Sequence, residues 1–328
     1  MKMLEAEYKV VEFSEGASHA WDDFVCNAKN GTFMLTRKFI NYHGERFVDS
    51  SLMIYKNDRL IAVLPANIKD DIAYSHQGLS YAGLVLKQLI KLQDALSAFS
   101  VVLKYFDEKG IKELIVKQIP SLYQLTPSDE MNYAFFVTKS ELYRRDAAIC
   151  LKPSMYRPNE NRKRKIKLAK SYGFDIRETN DMAPFWNDVL IPNLQISHDG
   201  KPVHSLDEIQ FLKDSFPENI KQYDIYEGNK IVGGTTLFTT KKTSLAQYIS
   251  ATPYGKSKDA LSYLFSHIII EKSNDFEYFS FGHSNEDNGH VLNQTLSYWK
   301  ESFGGSTLTH DFYKTKVSHY HLIEKLIR

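Results

Sequence analysis

Apolar and polar positions along the 328-residue chain follow helical and strand periods, and the order in which they alternate is nearly the same in each half. In the first half, Ser51-Leu-Met-Ile-Tyr55 reads as a strand, Asn57-Asp58 as a turn and Leu60-Ile-Ala-Val-Leu64 as the returning strand of a hairpin. A glycine-bearing stretch follows, then a long amphipathic helix from Gln88 to Lys109 closed by Gly110, then the strand Leu114-Ile-Val-Lys117. In the second half, Gln222-Tyr-Asp-Ile-Tyr226 and Lys230-Ile-Val-Gly-Gly234 flank a Gly228-Asn229 turn, and a strand from Ser244 to Ala251 comes next. A helix from about Lys258 to Lys272, with Leu261, Leu264, Phe265 and Ile268 on one face, leads to the strand Glu277-Tyr-Phe-Ser-Phe281.

Matching elements keep a nearly constant offset, as a duplicated unit produces. Hairpin, helix and strand in each half predict an α/β (α+β) class, with two mixed sheets flanked by helices rather than a Rossmann sheet. The length also suits two domains. The expected boundary lies near Lys152-Pro153, giving domains 1–151 and 152–328, because Lys152 to Asn159 holds two prolines and no periodicity.

Composition narrows the class of partner. A formal charge of +1 gives no overall field toward nucleic acid or an anionic membrane, so DNA is not expected as a ligand and any anion must meet a local patch. Cys26 and Cys150 make no metal spacing and no disulfide framework. The polar start Met1 to Tyr8 lacks the apolar core of a signal peptide, and the longest apolar run, Leu261 to Ile270, is too short to span a bilayer. A cytoplasmic protein with no integral membrane segment is the expectation.

Four segments could carry chemistry. The first, Asn159 to Gly173, predicts a helix capped by Asn159 and stopped by Gly173. Arg162, Lys163, Arg164 and Lys165 crowd its first turns, where the helix dipole disfavours cations; a substrate phosphate nearby would relieve that field, as would acidic partners on a solvated face. The second, Ala251 to Lys258, joins a strand to a helix, and Gly255, Lys256, Ser257 and Lys258 could hold a phosphate on free backbone N–H groups, with Ser257 as a cap. An ordinary strand-to-helix turn explains the same residues. The third, Phe279 to His290, ends a strand in a polar loop, which places Ser280, His283, Ser284 and Asn285 where open sheets gather ligands. His283, Glu286 or Asp287 could accept a proton, and His283, Glu286 and His290 lack a further ligand of firm spacing, so no metal is expected. The fourth, Ser75 to Leu84, sets His76 and Tyr81 beside Gly78 and Gly83, which either admit a ligand to the backbone or bend a packed strand. Gly31 to Arg37, followed by Phe39, Tyr42 and His43, forms either an aromatic rim or a piece of core.

Taken in order, these segments resemble the FemAB-like branch of the GNAT acyltransferase superfamily. The resemblance rests on the basic run Asn161 to Gly173 and on the succession Gln247-Tyr-Ile-Ser-Ala251, helix, Tyr278-Phe-Ser-Phe-Gly282 and Leu296-Ser-Tyr-Trp-Lys300-Glu-Ser-Phe-Gly-Gly305. It implies tandem GNAT-like domains and amide-bond formation on an amine of a cell-envelope polysaccharide or peptidoglycan-type sugar precursor. No tightly bound cofactor is implied; the co-substrate is acyl-CoA or, alternatively, aminoacyl-tRNA. The stretch from Asp181 to Pro217 is too short and too interrupted, by Pro192, Gly200 and Pro202, for the helical-hairpin arm of peptidoglycan-branching members. An acyl thioester is therefore the expected donor, a nucleotide- or lipid-linked amino sugar the expected acceptor, and tRNA the less favoured partner. By motif position, Lys300, Tyr248 and Ser280 should face the cleft of the second half, with Arg162 and Arg164 near acceptor phosphates. A non-catalytic glycan- or partner-binding protein on the same scaffold is the competing reading from another class.

Overall fold

Asn57 and Asp58 adopt φ values of 45° and 62°, the left-handed pair that a tight hairpin requires, and the strands Leu52–Lys56 and Arg59–Leu64 close on either side of them. This is a computed structural model, and it describes residues 7–198 and 200–327. The chain divides into two units, Met1–Asp146 with Thr309–Arg328, and Ala147–Leu308. It leaves the first within the strand Glu141–Leu151 and returns within Ser306–Lys316.

In the first unit, Tyr8–Glu12, Leu52–Lys56, Arg59–Leu64 and Val85–Leu86 form an antiparallel sheet in that order. Ile72–Tyr74 runs parallel to Glu113–Lys117, and such a pair needs a crossover. The helix Leu92–Glu108 supplies it. Its buried face of Leu96, Phe99, Val102, Leu103 and Phe106 packs into one core with Leu52, Ile54, Leu64 and Leu114.

The second unit repeats the plan. Asp175–Thr179, Ile220–Glu227, Lys230–Thr239 and Thr243–Ala251 are antiparallel neighbours in sequence order. Tyr278–His283 then joins parallel to Thr243–Ala251, after the helix Ala260–Glu271. Leu264, Phe265, Ile268 and Ile269 of that helix meet Ile225, Val232, Phe279 and Phe281 in a second core. The strand expected over Lys230–Gly234 runs on to Thr239, with Thr235 and Thr236, on opposite faces of the sheet, both fully buried.

The expected helix from Lys258 to Lys272 is broken at its start. A short helix, Pro253–Ser257, is capped by Thr252, and Asp259 at φ 52° then restarts the chain as Ala260–Glu271. Ser257 does not cap; its hydroxyl donates to the Tyr254 carbonyl at 2.8 Å. Between Asp181 and Pro217 lie short helical pieces, Ala183–Phe185, a π-turn Trp186–Leu190, Ile191–His198 and Leu206–Ser215. The last begins with a reciprocal Ser205 and Glu208 capping box.

Candidate active site

The register of the parallel pair in the second unit covers Thr243↔Tyr278, Ser244↔Phe279 and Leu245↔Ser280 and stops there. Past that point Thr243–Ala251 stays on Lys230–Thr239, while Tyr278–His283 stays on Glu141–Leu151 through an irregularity between Ser280 and His283. The two strands therefore splay. The backbone edge of 246–251 is left without a partner strand on that side, which suits it to hydrogen-bond an extended ligand.

Lys300 closes the far side of the splay. It lies on the helix Gln294–Glu301, capped by Asn293, and is 3% exposed. Its Nζ donates to the carbonyls of Gly282 (3.2 Å) and His283 (2.6 Å). Among the described residues no carboxylate pairs with it, and burial alone brings its pKa down to about 8. The first unit holds a second ammonium of this kind: Lys117 Nζ donates to Gln77 O and Leu79 O, and burial, with Arg144 nearby, lowers it to about 8.

On the near side, cross-strand registry lines up two polar rows. Gln222, Thr236 and Tyr248 form one, and Asp224, Gly234 and Ser250 the next, on the sheet face opposite the helix Ala260–Glu271. Thr236 donates to Gln222 Oε1 at 2.7 Å, and Gln222 Nε2 donates to Asp224 Oδ1 at 2.6 Å. Gly234 is glycine for packing, since a Cβ there would lie 2.7 Å from the Phe185 ring. Trp186 stands edge-on to Tyr248 with centroids 4.9 Å apart, and the Tyr248 hydroxyl meets His204 Nδ1 at 2.5 Å. Burial raises the Asp224 carboxyl to about 6. Among the described residues Trp186 Nε1 and Ser250 Oγ, both buried, have no hydrogen-bond partner. Such orphans need an explanation, and water or ligand in the same space supplies one.

The remaining expected residues fall in several places. Ser280 is fully buried inside the paired part of the strand, where its Oγ accepts from Gly282 N. His283 is exposed, Ser284 is buried with an Oγ that has no partner among the described residues, and Asn285 accepts from Ala147 N at 2.6 Å. Gly255 meets protein: a Cβ there would lie 2.0 Å from the Val232 carbonyl oxygen. Lys256 donates to Asn193 Oδ1, and Lys258 lies over the Tyr172 ring at 4.5 Å. Arg162 is buried, donating to Ser302 and Ser262 hydroxyls and packed on the rings of Trp299 and Phe303, while Lys165 pairs with Asp259 at 3.0 Å. Arg164 is exposed. The helix dipole is thus met locally by protein groups at Arg162 and Lys165. In the first unit Tyr81 is buried against Tyr123 and donates to Thr32, whereas His76 lines a separate cleft. Asp224, Ser250, Trp186 and His204 escaped the sequence reading. For Asp224 and Ser250 the available signal was polar residues spaced by two on successive strands whose other face is apolar; Trp186, in a helical segment, and His204, before the helix Leu206–Ser215, carried no such signal.

Among the described residues no cluster of three or more His, Cys, Asp or Glu could hold a metal ion, and no helix is long and apolar enough to cross a membrane. No family model and no curated protein sequence matches the chain. Solved structures do. The crystal structure of FemX superposes with a TM-score of 0.65 at 8% identity, over 98% of this chain and 100% of that one. The chain has a FemAB-like tandem GNAT fold. A tandem GNAT protein from the clavulanic acid biosynthesis pathway matches with a TM-score of 0.52 at 9% identity, over 95% of this chain and 99% of that one. L-PGS from Bacillus licheniformis matches with a TM-score of 0.53 at 11% identity, over 88% and 95% respectively. At these identities the likeness establishes the fold, and the chemistry has to come from the residues in each GNAT unit.

Proposed function

We propose that the chain is an acyltransferase in which the second GNAT unit moves an acyl group from a thioester such as acyl-CoA to the amine of a cell-envelope amino-sugar precursor. The splay between Thr243–Ala251 and Tyr278–His283 is the observation that carries this reading, because it offers an unpaired strand edge to the amides of an extended donor arm. The acceptor amine enters from the face of Tyr248, Ser250 and Asp224. Attack by a neutral amine on the thioester carbonyl forms the new C–N bond, the C–S bond breaks, and the thiolate leaves. The amine's proton passes to Asp224, whose pKa near 6 suits a base at neutral pH, by way of the Ser250 hydroxyl or water. Lys300 holds the Gly282–His283 carbonyls in place and sets a positive charge at the mouth of the splay, where oxyanion and thiolate charge develops.

The test is release of free thiol from acetyl-CoA in the presence of glucosamine-containing acceptors, with Tyr248→Phe and Asp224→Asn as variants. Acceptor-dependent thiol release that falls in both variants supports the reading; no release with any acyl thioester overturns it. One of the similar folds is described as the C-terminal domain of a putative lysylphosphatidylglycerol synthetase from Agrobacterium fabrum, so an aminoacyl donor is the second reading. Product formed from aminoacyl-tRNA and not from thioester would select it.

A further inference from the structure

The basic run at the start of the second unit is only partly absorbed by the fold. Residues 152–173 carry eight Lys and Arg against Glu160, a local charge of +7 in a chain whose formal charge is +1, so the rest of the chain is net −6. That concentrates a cationic field on one stretch. The helix Glu160–Ser171 turns Arg162 and Ala169 inward, and Lys165 reaches Asp259, which leaves Lys163, Arg164, Lys167, Leu168 and Lys170 on the outward face. At helical spacing 163, 167 and 170 fall in one stripe, and 164 and 168 in the next. Lys163 meets Glu160 at 2.7 Å in an exposed pair of little strength. Among the described residues Arg164, Lys167 and Lys170 form no ion pair.

Apolar and aromatic surface borders these cations. Leu168 is 53% exposed, and Tyr172, just past the helix, and Tyr254 of the short helix Pro253–Ser257 are 36% and 38% exposed. Lys258 joins the two tyrosines into one patch, its Nζ lying 4.5 Å from the Tyr172 ring centre and 5.8 Å from that of Tyr254. Glu227 sits at the edge, where it accepts from the Tyr254 hydroxyl at 2.6 Å. Two extended polyanions fit the charge, a nucleic acid and an anionic lipid bilayer. Nucleic acid would stack bases on open aromatic faces, but Lys258 lies over Tyr172, and an exposed leucine among lysines gains nothing from phosphates. A bilayer interface uses every member: cations meet head groups, tyrosines take the interfacial level and leucine reaches the acyl boundary.

We infer that this face of the second unit docks on an anionic membrane surface, with Arg164, Lys167, Lys170 and Lys258 at the lipid head groups and Leu168 inserted among them. The docking stands apart from the proposed function, since it requires no particular donor or acceptor. Sedimentation of the full chain with vesicles of phosphatidylcholine alone, and of an equal mixture with phosphatidylglycerol, tests it at low and high salt. Binding to the mixed vesicles that weakens with salt, and none to phosphatidylcholine, is expected. The triple variant Arg164→Gln, Lys167→Gln, Lys170→Gln should bind about 100-fold more weakly, at roughly fivefold for each cation. Glutamine keeps helix propensity and the three side chains are exposed, so its melting temperature should not change. Leu168→Ser should weaken binding by roughly tenfold. Neutralising the exposed Lys69, Lys87 and Lys91 of the first unit makes the same change in net charge and should leave binding intact. Lys167→Glu alone replaces the triple variant if the latter does not fold. Failure to bind anionic vesicles, equal binding by the triple variant or an equal loss in the first-unit control overturns the inference. So does binding of unacylated tRNA, lost in the triple variant, by a chain that ignores vesicles.

Discussion

Replacing Lys300 by methionine should change stability in a pH-dependent way that follows from its burial. The drop in its pKa from 10.5 to about 8 corresponds to roughly 3 kcal/mol of preference for the neutral amine in the folded chain. Below pH 8 both folded and unfolded chains carry the proton, and that penalty is present in full. Between pH 8 and 10.5 the unfolded chain binds more protons than the folded one, so stability rises with pH in that window. At pH 7 methionine removes the penalty but leaves the Gly282 and His283 carbonyls without their donor, at roughly 1.5–3 kcal/mol for each charged hydrogen bond. These terms nearly offset, so the variant should be close to wild type or modestly less stable at pH 7. Toward pH 10.5 the neutral amine still donates and the wild type gains, so the gap should widen by roughly 3 kcal/mol. Urea denaturation of both proteins at pH 7, 8, 9 and 10 reads this directly. Lys117 titrates in the same window but cancels in the difference. A gap that stays flat from pH 7 to 9 would mean that Lys300 is solvated, and the electrostatic role assigned to it would be wrong.

Further outcomes follow from the same geometry. Asp224→Asn should raise stability at pH 7 by roughly 3 kcal/mol, because its carboxyl moves from 3.8 to about 6 on folding; the gain should vanish below about pH 4, where both states are protonated, and the acid limb of the pH–rate profile near 6 should disappear. Tyr248→Phe removes the bond to His204 and should cost about 1 kcal/mol in urea denaturation while lowering kcat more than it raises KM. Gly255→Ala forces a Cβ onto the Val232 carbonyl oxygen and should lower stability by roughly 1–3 kcal/mol or more without a specific loss of donor affinity, measured by calorimetry of the folded fraction. Arg162→Met leaves the Ser262 and Ser302 hydroxyls without their donor and should lower the melting temperature with little change in acceptor KM; a KM effect at unchanged stability would return Arg162 to the phosphate role.

Much of the architecture was legible because it is written in local signals. The Asn57-Asp58 and Gly228-Asn229 turns, the Asn159 cap and the paired hairpin–helix–strand orders are properties of short stretches. The splay was not legible, since it depends on where a parallel register stops, and registers between strands separated by a helix leave no local mark. Site residues divided on the same principle. Lys300 was found through its sequence neighbourhood, but its lack of a carboxylate partner is a tertiary fact. Asp224 looked like an ordinary polar position on a strand, and only the helical cover of Phe185 and Trp186 makes it a buried carboxyl. Arg162 stood out in sequence as part of a basic run, yet its surroundings are two hydroxyls and two aromatic rings. His76 stood out beside Gly78 and Gly83, but its left-handed φ and its contacts with the His43 and Phe47 rings are tertiary facts.

The most direct test of the splay as the donor site is amide hydrogen exchange of the full chain with and without acetyl-CoA. The account predicts slowed exchange in 246–251 and 281–283, with the strand Ile220–Glu227 unchanged. Protection confined to other segments, or none at saturating thioester, would contradict it.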